Sequence, residues 1–99
     1  MDYTRTVNFS WDQVKSDRCF KERGFDFSYA IRAFLDPERE VFLDDRWEYG
    51  ESRYVLRGMI DDRLFVLVFT YRDDGIRVIS ARKANKREVT VHERGKHKS

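Results

Sequence analysis

The chain has 99 residues, of which 40% are hydrophobic, 15% aromatic and 38% charged, with a formal net charge of +2. That much apolar and aromatic side chain excludes a disordered polymer, and no apolar run approaches the roughly 20 residues a helix needs to span a bilayer. Cys19 is the only cysteine, which excludes an intrachain disulfide and leaves a cysteine-based zinc site without ligands.

Val7 to Trp11 alternates apolar and polar residues and predicts a first strand. Ser10 with Gln13 three residues later has capping-box spacing, so a helix is expected to start near Trp11 and to stop at Gly24. Its apolar stripe is weak, because Arg18 stands where the face of Trp11 and Val14 should continue. Phe27, Ala30, Ile31 and Phe34 form a better stripe, with Asp26 as its cap and Asp36-Pro37 as its stop. Val41 to Leu43 reads as a short strand, followed by a charged loop to Gly50 that should expose Trp47 while Trp11 is buried.

From Glu51 to Ile60 period two returns. Tyr54, Leu56 and Ile60 point one way; Arg53, Val55, Arg57 and Met59 point the other. Asp61-Asp62 turns the chain into Leu64 to Phe69, an unbroken apolar run that belongs at the centre of a sheet, covered on both faces. Asp74-Gly75 suits a tight hairpin into the strand Ile76 to Arg82. Asn85 and Glu88 then make a second capping box, opening a basic helix. The order β-α-α-β-β-β-β-α predicts an α+β domain over residues 1–93, with four consecutive antiparallel strands and the helices on one side. Whether the first strand pairs at an edge or in the interior stays open. Residues 94–99 lack apolar anchors and are expected as a disordered basic tail. The amino terminus lacks the apolar segment of a secretory signal, so a cytoplasmic location is expected.

The charge is unevenly placed. Residues 1–76 carry 12 Lys/Arg against 16 Asp/Glu, whereas residues 77–99 carry 8 against 2. Such a basic segment is the usual footprint of a polyanion partner, although a solvated helix and tail would look the same. The two histidines, His92 and His97, lie near the carboxyl end, and no His/Cys cluster has metal-ligand spacing, so neither metal nor cofactor is expected. Arg53, Arg77 and Arg82 on strands, beside a basic helix, suit phosphate, whose geometry the guanidinium fork matches. By strict alternation Arg77 and Arg82 face opposite sides, so a common site requires a bulge or a strand that ends before Arg82.

Four stretches resemble the BrnT toxins, the ribonuclease half of the BrnT–BrnA type II toxin–antitoxin system within the RelE-like superfamily. They are Phe9-x-Trp11-Asp12-x-x-Lys15, Gly24-x-x-Phe27-x-x-Ala30-x-x-x-Phe34, Gly50-Glu51-x-Arg53, and Arg77-Val78-Ile79-Ser80-Ala81-Arg82-x-Ala84-x-x-x-Glu88. The resemblance covers roughly residues 9 to 93. Where that family commonly has an Asn and then Lys-His-Gly, this chain has Cys19 and Glu22-Arg23-Gly24. The resemblance implies a RelE-like fold and a metal-independent endoribonuclease that blocks translation and is neutralised by a BrnA-like antitoxin. Operator DNA would be met only through the antitoxin complex, and no membrane is involved. For catalysis it implies Arg53, Arg77 and Arg82 on the phosphate, with Glu51 or Lys15 moving protons. For RNA binding it implies Arg57, Ser80, Lys83, Lys86 and Arg87. A non-catalytic module acting through antitoxin and DNA, or a degenerate toxin that only sequesters antitoxin, are the other readings.

Overall fold

The computed structural model describes residues 7–46, 48, 50–73 and 75–96. In chain order they form β1 (Asn8–Trp11), α1 (Gln13–Arg23), α2 (Phe27–Ala30) continued by a 3-10 helix (Ile31–Leu35), β2 (Glu40–Asp44), β3 (Arg53–Ile60), β4 (Arg63–Arg72), β5 (Gly75–Lys83) and α3 (Lys86–Lys96). This is the expected α+β order. Residues 94–96, expected in the tail, are the last turn of α3, and 97–99 lie outside the described residues.

The helix ends show which local signals decide. Asp12, not Ser10, caps α1: its carboxylate accepts the N–H groups of Val14 at 2.9 Å and Lys15 at 3.3 Å. Ser10 is already committed to β1, opposite Arg77. Gln13 instead accepts the Trp11 indole N–H at 3.2 Å and donates to Asp17. Gly24 takes the left-handed conformation at φ 86° and returns its N–H to Phe20 O, the C-cap its sequence position implies. Asp26 caps α2 through Tyr29 N–H, as expected.

The sheet order is β1-β5-β4-β3-β2, with β4 at the centre. Strands β2 to β5 form the expected antiparallel meander, but β1 joins its open β5 edge in parallel, so the sheet is mixed. A parallel neighbour is possible because the intervening chain, from α1 to β4, supplies the long crossover that such pairing needs. Gly75 opens β5 where β1 crosses it, and a Cβ there would collide with the Asn8 carbonyl. The turn before it uses Asp73 at φ 52°; Asp74, half of the expected hairpin dipeptide, lies outside the described residues.

Two cores flank this sheet. Phe65, Leu67 and Phe69 of β4 meet Leu56, Ile60, Val78 and Ala81 under α1, α2 and the 3-10 helix, with Cys19, Phe25, Phe27, Ala30 and Ala33. Trp11 is half-buried against this core, its ring 6.5 Å from Phe27; Trp47 lies outside the described residues. Leu64, Val66 and Val68 face the other way, packing with Val55, Met59, Ala84 and Val89 of α3. The helices are therefore not all on one side: α3 covers part of the opposite face. A strand apolar on both faces, as β4 is, requires such a second cover. Among the described residues no helix is long and apolar enough to cross a membrane.

Candidate functional site

Strand β5 does not keep strict alternation. Val68 pairs with Ser80 and Phe69 with Val78, so Ile79 is an extra residue in β5, a β-bulge. Val78 and Ala81, three residues apart, consequently both point into the core beneath α1 and α2. Arg77, before the first, and Arg82, after the second, both fall on the opposite face. There they join Arg53 and Arg57, which alternate with Tyr54, Leu56 and Gly58 along β3. Four arginines from two non-adjacent strands thus share the sheet face that α3 leaves partly open.

Part of this face is a groove of about 360 Å³, lined by Val55 and Arg57 of β3, Val66 and Val68 of β4, Ser80 and Arg82 of β5, Phe42 to Asp44 of β2, Asp45 and Arg46, and Glu88 of α3. Its floor is apolar and its rim ionic. Arg82 forms a two-pronged pair with Glu88, 2.8 Å on each side. Arg57 Nε lies 3.3 Å from Glu40 Oε1, and its guanidinium stands 5.0 Å over the Phe42 ring. Asp44, whose side chain is only 1% exposed, holds Arg46 at 2.7 and 2.9 Å. Beyond the groove, Glu51 lies 4.0 Å from Arg53 and 3.5 Å from Arg72. Arg77 differs: among the described residues it forms no ion pair.

These pairs fix where the guanidinium groups point. A carboxylate on one edge of the fork leaves other N–H groups for a second anion, since arginine carries five donors. An arginine so held is pre-ordered for a phosphate. Of these four arginines, Arg77, with no ion pair among the described residues, has the charge most available to a ligand.

The remaining expected residues are dispersed. Lys15 and Lys83 are exposed on the α1 and α2 side of the sheet, Lys15 in a cleft beside Cys19 and Lys83 in a wider one with Asp26, Asp61 and Asp62. Lys86 and Arg87 are exposed in the first turn of α3. Ser80 lines both the groove and the Lys15 cleft. Sequence reasoning did not find Arg46, Arg72, Asp44 or Glu40. Arg72 was within its reach, because alternation from Val68 through Thr70 points it to this face. Glu40 was not, since its partners Arg57 and His92 are remote in sequence. The buried His92 donates Nδ1–H to Glu40 Oε1 at 2.8 Å, while its Nε2 is buried and, among the described residues, has no hydrogen-bond partner.

Glu88 carries the clearest electrostatic signature. Its hydrogen bonds with Arg82, aided by the Asn85 N–H at 2.9 Å, hold its carboxyl well below the usual 4.5, at about 2. Asn85 Oδ1 accepts Glu88 N–H at 2.8 Å in return, closing the expected capping box. A depressed folded value stabilises above the unfolded one and is lost as pH falls through 4.5 towards 2. Arg82 is 45% exposed, so screening reduces the effect to about 1 kcal/mol. Melting followed from pH 6 to pH 2 should show this loss in the wild type and not in Glu88→Gln. Equal acid limbs would show that the pair does not stabilise the fold.

A family model described as "Ribonuclease toxin, BrnT, of type II toxin-antitoxin system" matches residues 11–88. Among curated proteins, no relative matches. The matched span begins at the last residue of β1 and ends at the carboxylate that pairs with Arg82, so it contains every element of the arginine face except most of α3.

Proposed function

This chain belongs to the BrnT family of ribonuclease toxins of type II toxin–antitoxin systems, and we propose that it cleaves RNA on the arginine face without a metal ion. The carrying observation is the β5 bulge, which brings Arg77 and Arg82 to the face of Arg53 and Arg57. In the reaction the ribose 2′-oxygen attacks the neighbouring phosphorus and the bond to the 5′-oxygen breaks. The products are a 2′,3′-cyclic phosphate and a 5′-hydroxyl. Negative charge builds on the phosphorane oxygens, and preordered guanidinium groups aimed there stabilise it more than they stabilise the ground state. Arg77 and Arg82 carry this role, and Arg53 and Arg57 hold the strand on either side.

The 2′-hydroxyl proton goes to Glu51, which lies beside Arg53 and Arg72 beyond the groove, and the departing 5′-oxygen takes a proton from water to become the 5′-hydroxyl. Lys15, the other group considered for proton movement, lies across the sheet edge. Arginine itself stays protonated and serves as donor only. Ser80, Lys86 and Arg87 extend the RNA surface along the groove and the start of α3. The metal-free reading rests on the arginines, whose guanidinium groups can supply the charge stabilisation that a metal ion would otherwise give. Purified protein should therefore cleave RNA in EDTA, and products labelled at the new 5′ end only by a kinase would report the 5′-hydroxyl. Cleavage restored solely by added divalent ion would overturn the metal-free step.

The antitoxin, a BrnA-like protein, is proposed to occupy this same basic face. Its complex with the toxin would weaken as salt rises, because ion pairs to arginines are screened. It would also be the component that reaches operator DNA, in the cytoplasm where RNA and translation are found.

A further inference from the structure

Strand β1 covers only the first part of the β5 edge: its pairing ends at Trp11 opposite Val78. From Ile79 onward, among the described residues, no strand flanks β5 on that side. Helix α1 lies along the gap, with Cys19 Sγ 3.7 Å from Ala81 O. Between them is a cleft of about 200 Å³ lined by Lys15, Arg18, Cys19, Arg23, Phe27 and Ile79 to Ala81. Lys15, Cys19 and Arg23 recur every four residues, so they form one stripe of α1 facing the edge, and Arg18, three residues after Lys15, flanks it. Lys15, Arg18 and Arg23 are exposed, and none is ion-paired among the described residues. Burial raises the pKa of the Cys19 thiol, with the neighbouring Arg23 guanidinium opposing it. Of the nearby acids, Asp26 is occupied by Ser28 Oγ at 2.7 Å and Tyr29 N–H at 2.9 Å.

The cleft is joined to the arginine groove. Ser80, exposed at the bulge, lines both, with Arg82 on one side and Ile79 and Ala81 on the other. The geometry points to a second phosphate subsite, in which Lys15, Arg18 and Arg23 hold the backbone of the RNA strand after it leaves the groove and passes over the open β5 edge at Ser80. This inference rests on the ribonuclease reading and deepens it. The cations of α1 lie on the face opposite Arg77 and Arg82, so they bind a flanking phosphate and do not touch the bond that breaks. The extra residue of β5 thereby has a second consequence, since the bulge both aligns the arginines and presents Ser80 between the two clefts. The ligand is a single-stranded phosphodiester chain. A folded acidic protein would meet the α1 stripe without needing continuity with the groove.

The test uses the full chain and fully 2′-O-methylated RNA oligonucleotides of increasing length, which bind but lack the attacking hydroxyl. For the wild type, affinity should rise with length once the strand outgrows the groove. In Arg18→Ala/Arg23→Ala this length-dependent gain should vanish. The slope of log affinity against log salt should fall by roughly 1.4, about 0.7 for each phosphate no longer neutralised. Arg18→Lys/Arg23→Lys should restore most of the slope, a recovery that a merely structural role would not give. Unchanged affinity and slope in the alanine pair would overturn the subsite, provided Arg77→Ala still weakens binding. If the alanine pair loses antitoxin binding while its RNA binding is intact, the stripe is a protein-binding surface and the inference fails. A wild type that binds no oligonucleotide of any length would defeat the ribonuclease reading along with it.

Discussion

Arg77→Ala is expected to lower RNA cleavage about a hundredfold or more while leaving the melting temperature nearly unchanged. Losing one preorganised donor to a developing oxyanion typically costs about 10²–10³ in rate, or about 2.7–4 kcal/mol. Stability should move by less than ~0.5 kcal/mol, because Arg77 is half-buried but forms no ion pair among the described residues that its loss would break. This separation makes it a cleaner probe than its neighbours. Arg82→Ala strands Glu88 at the start of α3, and Arg57→Ala strands Glu40 beside a buried histidine. Either change removes a phosphate ligand and breaks an ion pair at the same time, leaving Glu88 only the Asn85 N–H and Glu40 only His92. Arg77→Lys should recover part of the rate, since a point charge keeps the attraction but not the fork. Arg32→Ala is the control: it lies on the 3-10 helix, 3.8 Å from the exposed Asp61, and should change neither rate nor melting. If Arg77→Ala cleaves like the wild type, the phosphorane charge is met elsewhere and the proposed site is wrong.

What the sequence made legible follows from how local each signal is. Leu64 to Phe69 announced a central strand because covering on both faces removes polar alternation, and β4 is that strand. Arg53 and Arg57 could be assigned to one face because β3 keeps strict period two over Arg53 to Ile60. Asn85 and Glu88 could be paired because a capping box spans three residues. The failures share the opposite cause. Alternation showed that Arg77 and Arg82 could share a face only through a bulge or an early strand end, but nothing in Val78-Ile79-Ser80 tells which of the two occurs, and the structure has the bulge. A capping box fixes where α3 begins but not which sheet face it meets, and Val89 packs it on Leu64, Val66 and Val55. Ser10 has the right spacing for a cap, yet its strand pairing with β5 removed it from competition. The proton-moving candidates Glu51 and Lys15 are chemically plausible alike in sequence; only the sheet edge between them separates their environments.

Inserting one alanine between Ile79 and Ser80 should be more damaging than any single replacement on this face. The bulge accommodates one extra residue; a second one shifts half of β5 by one position against β4, and such a shift exchanges the faces of every side chain in that half. If Ser80 to Lys83 keep their partners, Ile79 takes the place of Val78 opposite Phe69 and Arg77 turns to the α1 and α2 side opposite Tyr71. Ile76 then stands where Gly75 was, and a Cβ there collides with the Asn8 carbonyl. If Gly75 to Val78 keep theirs instead, Ser80 takes the core place of Ala81, while Arg82 moves to the place of Lys83 and leaves Glu88. Either outcome splits Arg77 from Arg82 and puts a clash or a polar group where the core was apolar, in a fold whose total stability is about 5–15 kcal/mol. The expected result is a large fall in melting temperature together with loss of cleavage. Deleting Ile79, by contrast, leaves both halves of β5 with their partners and both arginines on one face, so that variant should fold and cleave. An insertion variant that melts and cleaves like the wild type would show that the register of β5 does not set the arginines. The phosphate site would then need another geometry.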